Sequence, residues 1–221
     1  MEKILDKKKI SVCDIAVITI VLLQIVFFMV TFITKKNVYH EDEFFSYALS
    51  NSYDRPFIYG SAHQVMDNIN VWMTGDDFKY YMETNENTRF SYGSVWRNQA
   101  ADVHPPLYYV VLHTISSFFP NRFSWWWGFD INLICFAVMQ FFLYKFINRL
   151  SGSRVAGLIS CAYWGFSLAG QGCVLFIRMY MMLTMFAVMY AYVSQTILMF
   201  KEKVPVKQYI FVGVIALLGA L

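Results

Sequence analysis

The sequence predicts an all-α polytopic membrane protein in which one long polar loop separates the first span from the others. Three observations predict it. Charged residues make up 15% of the chain, against 57% hydrophobic and 19% aromatic, whereas a soluble domain carries about 25% charged residues. Mean hydropathy is +0.43. The polar residues are also segregated: ten of the fifteen acids and all four histidines (His40, His63, His104, His113) fall between Lys35 and Ser124.

Residues 1–34 are the N-terminus and the first span. Lys3, Lys7, Lys8 and Lys9 precede an apolar run from Ser11 to Thr34. That run is longer than the ~7–15 residues of a signal h-region, and no small-x-small cleavage site follows it. It therefore reads as an uncleaved span, with Asp14 an interface residue at its N-terminal end. Residues 35–124 form a loop too long for a simple connection. Within it Ser61–Thr74 and Asp76–Asn85 read as short helices, the second opening on Asp76 and Asp77. Segment 104–119 has 16 residues, short of the ~20 needed to cross a bilayer. Tyr109, His113, Ser116 and Ser117 recur on one helical face, which predicts a helix lying on the membrane surface.

Residues 125–221 hold the further spans, at about 125–147, 155–173, 179–200 and from 208 onward. Trp125-Trp126-Trp127 forms an aromatic belt at the start of the first of them. The last runs for 14 residues to Leu221, so the sequence reads as the N-terminal part of a longer protein. If 104–119 does not cross, the three basic clusters share one side: Lys3 to Lys9; Lys145, Arg149 and Arg154; Lys201, Lys203 and Lys207. The positive-inside rule makes that side cytoplasmic and the long loop extracytoplasmic, in the plasma (inner) membrane. Cys13, Cys135, Cys161 and Cys173 lie in or at the edges of spans, without a CxxC pair. They read as packing residues.

Three segments carry candidate chemistry, and the topology puts all three at the extracytoplasmic face. Glu41-Asp42-Glu43 follows the first span, where a carboxylate cluster near hydrocarbon is costly unless it is used. Asp102-Val103-His104-Pro105-Pro106-Leu107-Tyr108-Tyr109 closes the loop. The prolines suit the first turn of a helix, which places Asp102 and His104 at an N-terminus that favours an anion. Asp102 there has three readings: an N-terminal cap, a ligand of a divalent cation, or an orienting partner of His104. Arg178-Met179-Tyr180 lies between the later spans, and Arg178 is the only charged residue between Arg154 and Lys201. Its planar, permanently charged head suits a phosphate. Asp130, about one turn inside the second span, is placed to face the same site. His40 and His63 have no metal-ligand spacing.

The three motifs, in this order and on one membrane face, resemble the GT-C membrane glycosyltransferases, in particular the group related to protein O-mannosyltransferases and lipid A aminoarabinose transferases. The resemblance covers nearly the whole chain but only the N-terminal portion of such enzymes. Members usually read Gln-Glu-Ala-Arg-Met-Tyr where this chain reads Leu175-Phe176-Ile177-Arg178-Met179-Tyr180, so the acid of that motif is absent here. The resemblance implies an inverting transferase that moves a sugar from a polyprenyl-phosphate donor to a hydroxyl acceptor on a glycan, lipid or protein, with a divalent cation as an optional cofactor. Its implied site has Asp42 and Glu43 as catalytic carboxylates, Asp42 being the general base. His104, Arg178 and Tyr180 would meet the donor phosphate, and Asp102 a metal. A phosphate leaving group needs no general acid, whereas a hydroxyl acceptor needs a base, worth about 10²–10⁴-fold. A transporter or flippase component and a non-catalytic membrane scaffold are the alternatives. The near absence of charge in mid-span argues against the first. No nucleic-acid partner is expected.

Overall fold

The computed structural model describes residues 11–53, 74–199 and 204–221. Among these the protein is entirely helical. The helices are α1 (Val12–Lys35), α2 (Glu41–Asn51), α3 (Gly75–Met82), α4 (Tyr92–Ala100), α5 (Leu107–Phe118), α6 (Trp125–Ser151), α7 (Arg154–Phe166), α8 (Leu168–Leu175), α9 (Tyr180–Leu198) and α10 (Val206–Ala220). Three of them, α1, α6 and α9, are long and apolar enough to cross a membrane, and α7 with α8 makes a fourth if the bent pair is one span. This is a membrane protein.

Helix α1 shows how the pattern works. Ser11 caps it, accepting from the Asp14 amide while the Asp14 carboxylate accepts from the Ser11 amide, a reciprocal capping box. Its buried residues, Val17, Gln24, Phe28 and Phe32, recur at helical spacing along one stripe. Ile15, Ile18, Leu22, Leu23, Val26, Val30 and Ile33 are exposed on the remaining surface. In water that would be untenable; against lipid it is the expected outer face. Helices α1 and α6 run antiparallel. The Tyr144 hydroxyl donates to Asp14 at one end (2.8 Å), and Phe32 stacks on Phe129 near the other (4.0 Å, 3°).

Lipid gives apolar side chains no reason to leave it, so close packing and polar contacts join membrane helices. Gln24 does this at mid-bundle, donating to the Cys161 carbonyl (3.1 Å) and accepting from Gln140 (3.0 Å). Gly165 makes room for it, since a methyl there would run into the Gln24 amide.

The span expected over 155–173 is not continuous. It bends by 61° between α7 and α8 and ends at Leu175. Ser167 causes the break: its backbone is extended (φ −69°, ψ 154°), and its hydroxyl caps α8 through the Gly170 amide (3.0 Å). The helix expected over 76–85 is α3, beginning one residue earlier and ending at Met82; the one expected over 61–74 lies, but for Thr74, outside the described residues.

Segment 104–119 contains the 12-residue α5, too short to cross a bilayer. An interfacial helix would turn its polar face to water, but Tyr109, His113, Ser116 and Ser117 are all buried. Neighbouring helices meet those groups. Asn51 of α2 bonds Ser116 Oγ (3.1 Å) and His113 Nδ1 (3.2 Å), and Thr84 bonds the Ser116 carbonyl (2.8 Å). Helix α5 thus packs against α2, α4 and α6 in a small helical cap at one end of the bundle.

Candidate functional site

The site grows from the start of α2. His40 is its N-cap, with Nδ1 accepting from the Asp42 amide (3.1 Å). Glu41, Asp42 and Glu43 fill the first turn, where the helix dipole favours negative charge. The two members of the Asp-Glu pair then part company. Glu43 is 1% exposed. Its carboxylate accepts from the His40 amide (2.9 Å), from the Ile177 amide (2.8 Å) and from the Lys36 ammonium. Lys36 also donates to the Leu175 carbonyl (2.6 Å). Glu43 is therefore a joint between the end of α1, the cap of α2 and the strap after α8. The Asp42 side chain is 34% exposed.

That strap is held from its other side too. Asn132 of α6 donates to the carbonyls of Val174 (3.1 Å) and Phe176 (2.8 Å), and Ser46 to that of Ile177 (2.9 Å). Gly128 lets Ile177 and the Tyr47 hydroxyl close on α6, since a methyl there would overlap Ile177. The strap delivers Arg178 into a buried position, 5% exposed. Nη1 donates to the Asp42 carbonyl (2.8 Å) and lies 3.5 Å from its carboxylate. Nη2 is 3.2 Å from His104 Nε2. The other nitrogen of that ring, Nδ1, is 2.7 Å from the Asp102 carboxylate. A proton on His104 Nδ1 satisfies both contacts, leaving Nε2 to accept from arginine. Arg178 Nε has no partner.

Asp42, Arg178, His104 and Asp102, from three segments, thus form one connected chain at one end of the bundle. Asp102 is neither a helix cap nor an isolated carboxylate, because α5 starts only at Leu107, after Pro106, without a side-chain cap. Of its three sequence-level readings, the geometry matches the orienting partner of His104. Among the described residues no three His, Cys, Asp or Glu side chains converge as a metal site would require. His40 is spent on capping, and His63 lies outside the described residues.

Tyr180 borders the cluster. Its ring stacks on Phe176 (6.0 Å, 9°) and it is 39% exposed. Asp130 does not face the site: it lies on the exposed side of α6, because Phe129, Ile131 and Asn132 take the inward positions.

Tyr109 belongs to the site's surroundings, although the sequence marked it only as part of a polar helical face. It is fully buried, with its hydroxyl on the Met179 sulfur (3.8 Å). Burial is the main cause that raises its phenol above the usual range. The Arg178 charge pulls it down, and Asp102, Tyr180 and Asp42 push it up again. It stays a protonated, uncharged donor beside four charged or polar neighbours.

Comparison of the chain with protein-family models, curated proteins and solved structures finds no match in any of the three.

Proposed function

We propose that this chain carries the donor and base site of an inverting glycosyltransferase that uses a polyprenyl-phosphate sugar. The observation that carries the reading is the meeting of Asp42, Arg178 and the His104–Asp102 pair, from three separate segments, at one end of a membrane bundle. A buried arginine backed by a carboxylate-oriented histidine is an anion seat, and a half-exposed carboxylate beside it is a base within reach of an acceptor. In the transfer, the acceptor oxygen bonds to the anomeric carbon as the bond from that carbon to the phosphate oxygen breaks. The electron pair leaves with the phosphate, and Asp42 takes the acceptor's proton. Arg178 neutralises the departing phosphate, where pre-set donors contribute most, and His104, oriented by Asp102, holds the guanidinium in place. Glu43 is a positioning residue that holds the strap carrying Arg178. Tyr180 is the ring at the rim.

Charge supports an orientation: Lys145, Arg149, Arg154 and Lys207 lie at the opposite end of the bundle, which by the positive-inside rule favours an extracytoplasmic site.

The test is binding of a polyprenyl monophosphate to the purified chain, followed by transfer of a labelled sugar to a hydroxyl acceptor. Arg178→Gln should weaken lipid-phosphate binding at least about tenfold with helix content intact. Unchanged binding in a folded Arg178→Gln variant would favour a network that only ties segments together, as in a scaffold.

A further inference from the structure

The opposite end of the bundle holds a second polar constellation that the transfer reaction does not use. On α6, Phe141, Tyr144, Lys145, Asn148 and Arg149 follow one another at spacings of three, one, three and one, and therefore share a face. With Asp14, Val17 and Ile18 of α1, Arg154 of α7 and Tyr192 of α9, that face lines a cleft of about 480 Å³. Helices α1 and α9 both pack on α6, and the cleft is the gap between them. Its floor is cationic and its walls one turn deeper are apolar: Val17, Ile18 and Phe141.

The cations outnumber the acid three to one. Asp14 is also largely spoken for. It caps α1, accepts from Tyr144 (2.8 Å) and lies 3.9 Å from Arg154. Arg149 is held in place without being neutralised. Its guanidinium donates to the Tyr192 hydroxyl (3.0 Å) and to Thr196, and sits over the Tyr192 ring at 4.5 Å. Among the described residues neither Arg149 nor Lys145 meets a carboxylate. Lys145 Nζ instead lies over the Phe141 ring (4.4 Å). A fixed guanidinium, an exposed ammonium and a second arginine, above an apolar trough at the end of the spans, match a phosphate attached to hydrocarbon chains.

We propose that this cleft seats the phosphate head group of an anionic membrane lipid, with an acyl chain running along the groove between α1 and α9. The site is independent of the transfer reaction and stands or falls apart from it.

Native mass spectrometry of the full chain, released from micelles containing phosphatidylglycerol or phosphatidylcholine, tests it. Phosphatidylglycerol should be retained in preference to phosphatidylcholine. Lys145→Gln should weaken its retention about fivefold, since a cation near the surface is worth about that factor. Lys145→Gln with Arg149→Gln should weaken it about 25-fold. Lys207→Gln, at the same end of the bundle but outside the cleft, should leave it unchanged. Lys145 is exposed, so its single variant decides the matter if the double variant fails to fold. Equal retention of the two lipids, or an equal loss in Lys207→Gln, would overturn the proposal in favour of diffuse attraction to a basic surface. Displacement of phosphatidylglycerol by glycerol phosphate at matched concentration would overturn it in favour of a soluble phosphate.

Discussion

The two ends of this bundle each hold arginine, and they treat it in opposite ways. At one end Arg178 is enclosed by Asp42, His104 and, one step further, Asp102, on a strap pinned by Glu43 and Asn132. At the other, Arg149 is steadied by hydroxyls and an aromatic ring, and three cations face one acid. Burial inside a network with matched charge makes a seat whose geometry is precise and whose loss is costly. A partly open cleft with unmatched charge makes a seat that waits for an anion from outside. Residue type is the same; the supply of opposite charge sets the task.

The comparison breaks most visibly at Glu43. Glu43→Ala leaves the Lys36 ammonium buried without its carboxylate and the Ile177 amide without an acceptor. Loss of one partner of such a pair costs about 3–5 kcal/mol. Thermal unfolding in detergent should drop accordingly, while Lys145→Gln at the basic end should leave the midpoint almost unmoved. A small shift for Glu43→Ala would mean the strap is held by other contacts.

Acid should loosen the site end through His113. Burial lowers its imidazole to about 4 in the folded protein, below its ordinary 6.5, so the unfolded chain binds the extra proton first. Stability is full above about pH 6.5 and declines as pH falls toward 4, by up to about 3 kcal/mol. Below that it changes no further through this group. Unfolding midpoints recorded between pH 7 and 4 check the slope, and His113→Asn should flatten it.

Asp42→Asn is nearly isosteric, and the backbone carbonyl that meets Arg178 remains. Folding and donor binding should survive while sugar transfer falls by at least ~10²-fold. Near-normal turnover, with Asp102→Asn inactive, would move the base to the other carboxylate. The smallest effect is expected for Arg178→Lys. An ammonium keeps the charge but cannot reach Asp42 and His104 at once. Binding of polyprenyl phosphate should weaken by about tenfold, and an unchanged affinity would remove the guanidinium fork from the account of the site.

Much of the architecture was legible from residue order. The apolar runs set where α1, α6 and α9 lie, because in hydrocarbon a backbone must satisfy its own hydrogen bonds and only a long helix does so. The shortness of 104–119 excluded a crossing for the same reason. Clustered acids and histidines marked the polar loop, and Asp42, Asp102, His104 and Arg178 were each identifiable as charged groups placed where charge is costly. The geometry brings these four together, as the topology predicted.

Other features depend on partners distant in sequence, and no local pattern encodes them. Asp42 and Glu43 are adjacent and chemically alike, yet Lys36 and the Ile177 amide bury one and leave the other half open. The polar face of α5 points inward because Asn51 and Thr84 supply partners that water would otherwise provide. The break at Ser167 follows a local cap, but its consequence, a strap that carries Arg178 back to α2, exists only once Asn132 grips Val174 and Phe176. Sequence alone marked the three helices long and apolar enough to cross a membrane, α1, α6 and α9, and the groups that are costly to place beside hydrocarbon. The tertiary structure decided which of those groups neutralise one another and which remain available to a ligand, because a charge's energy depends on what stands within a few ångströms of it.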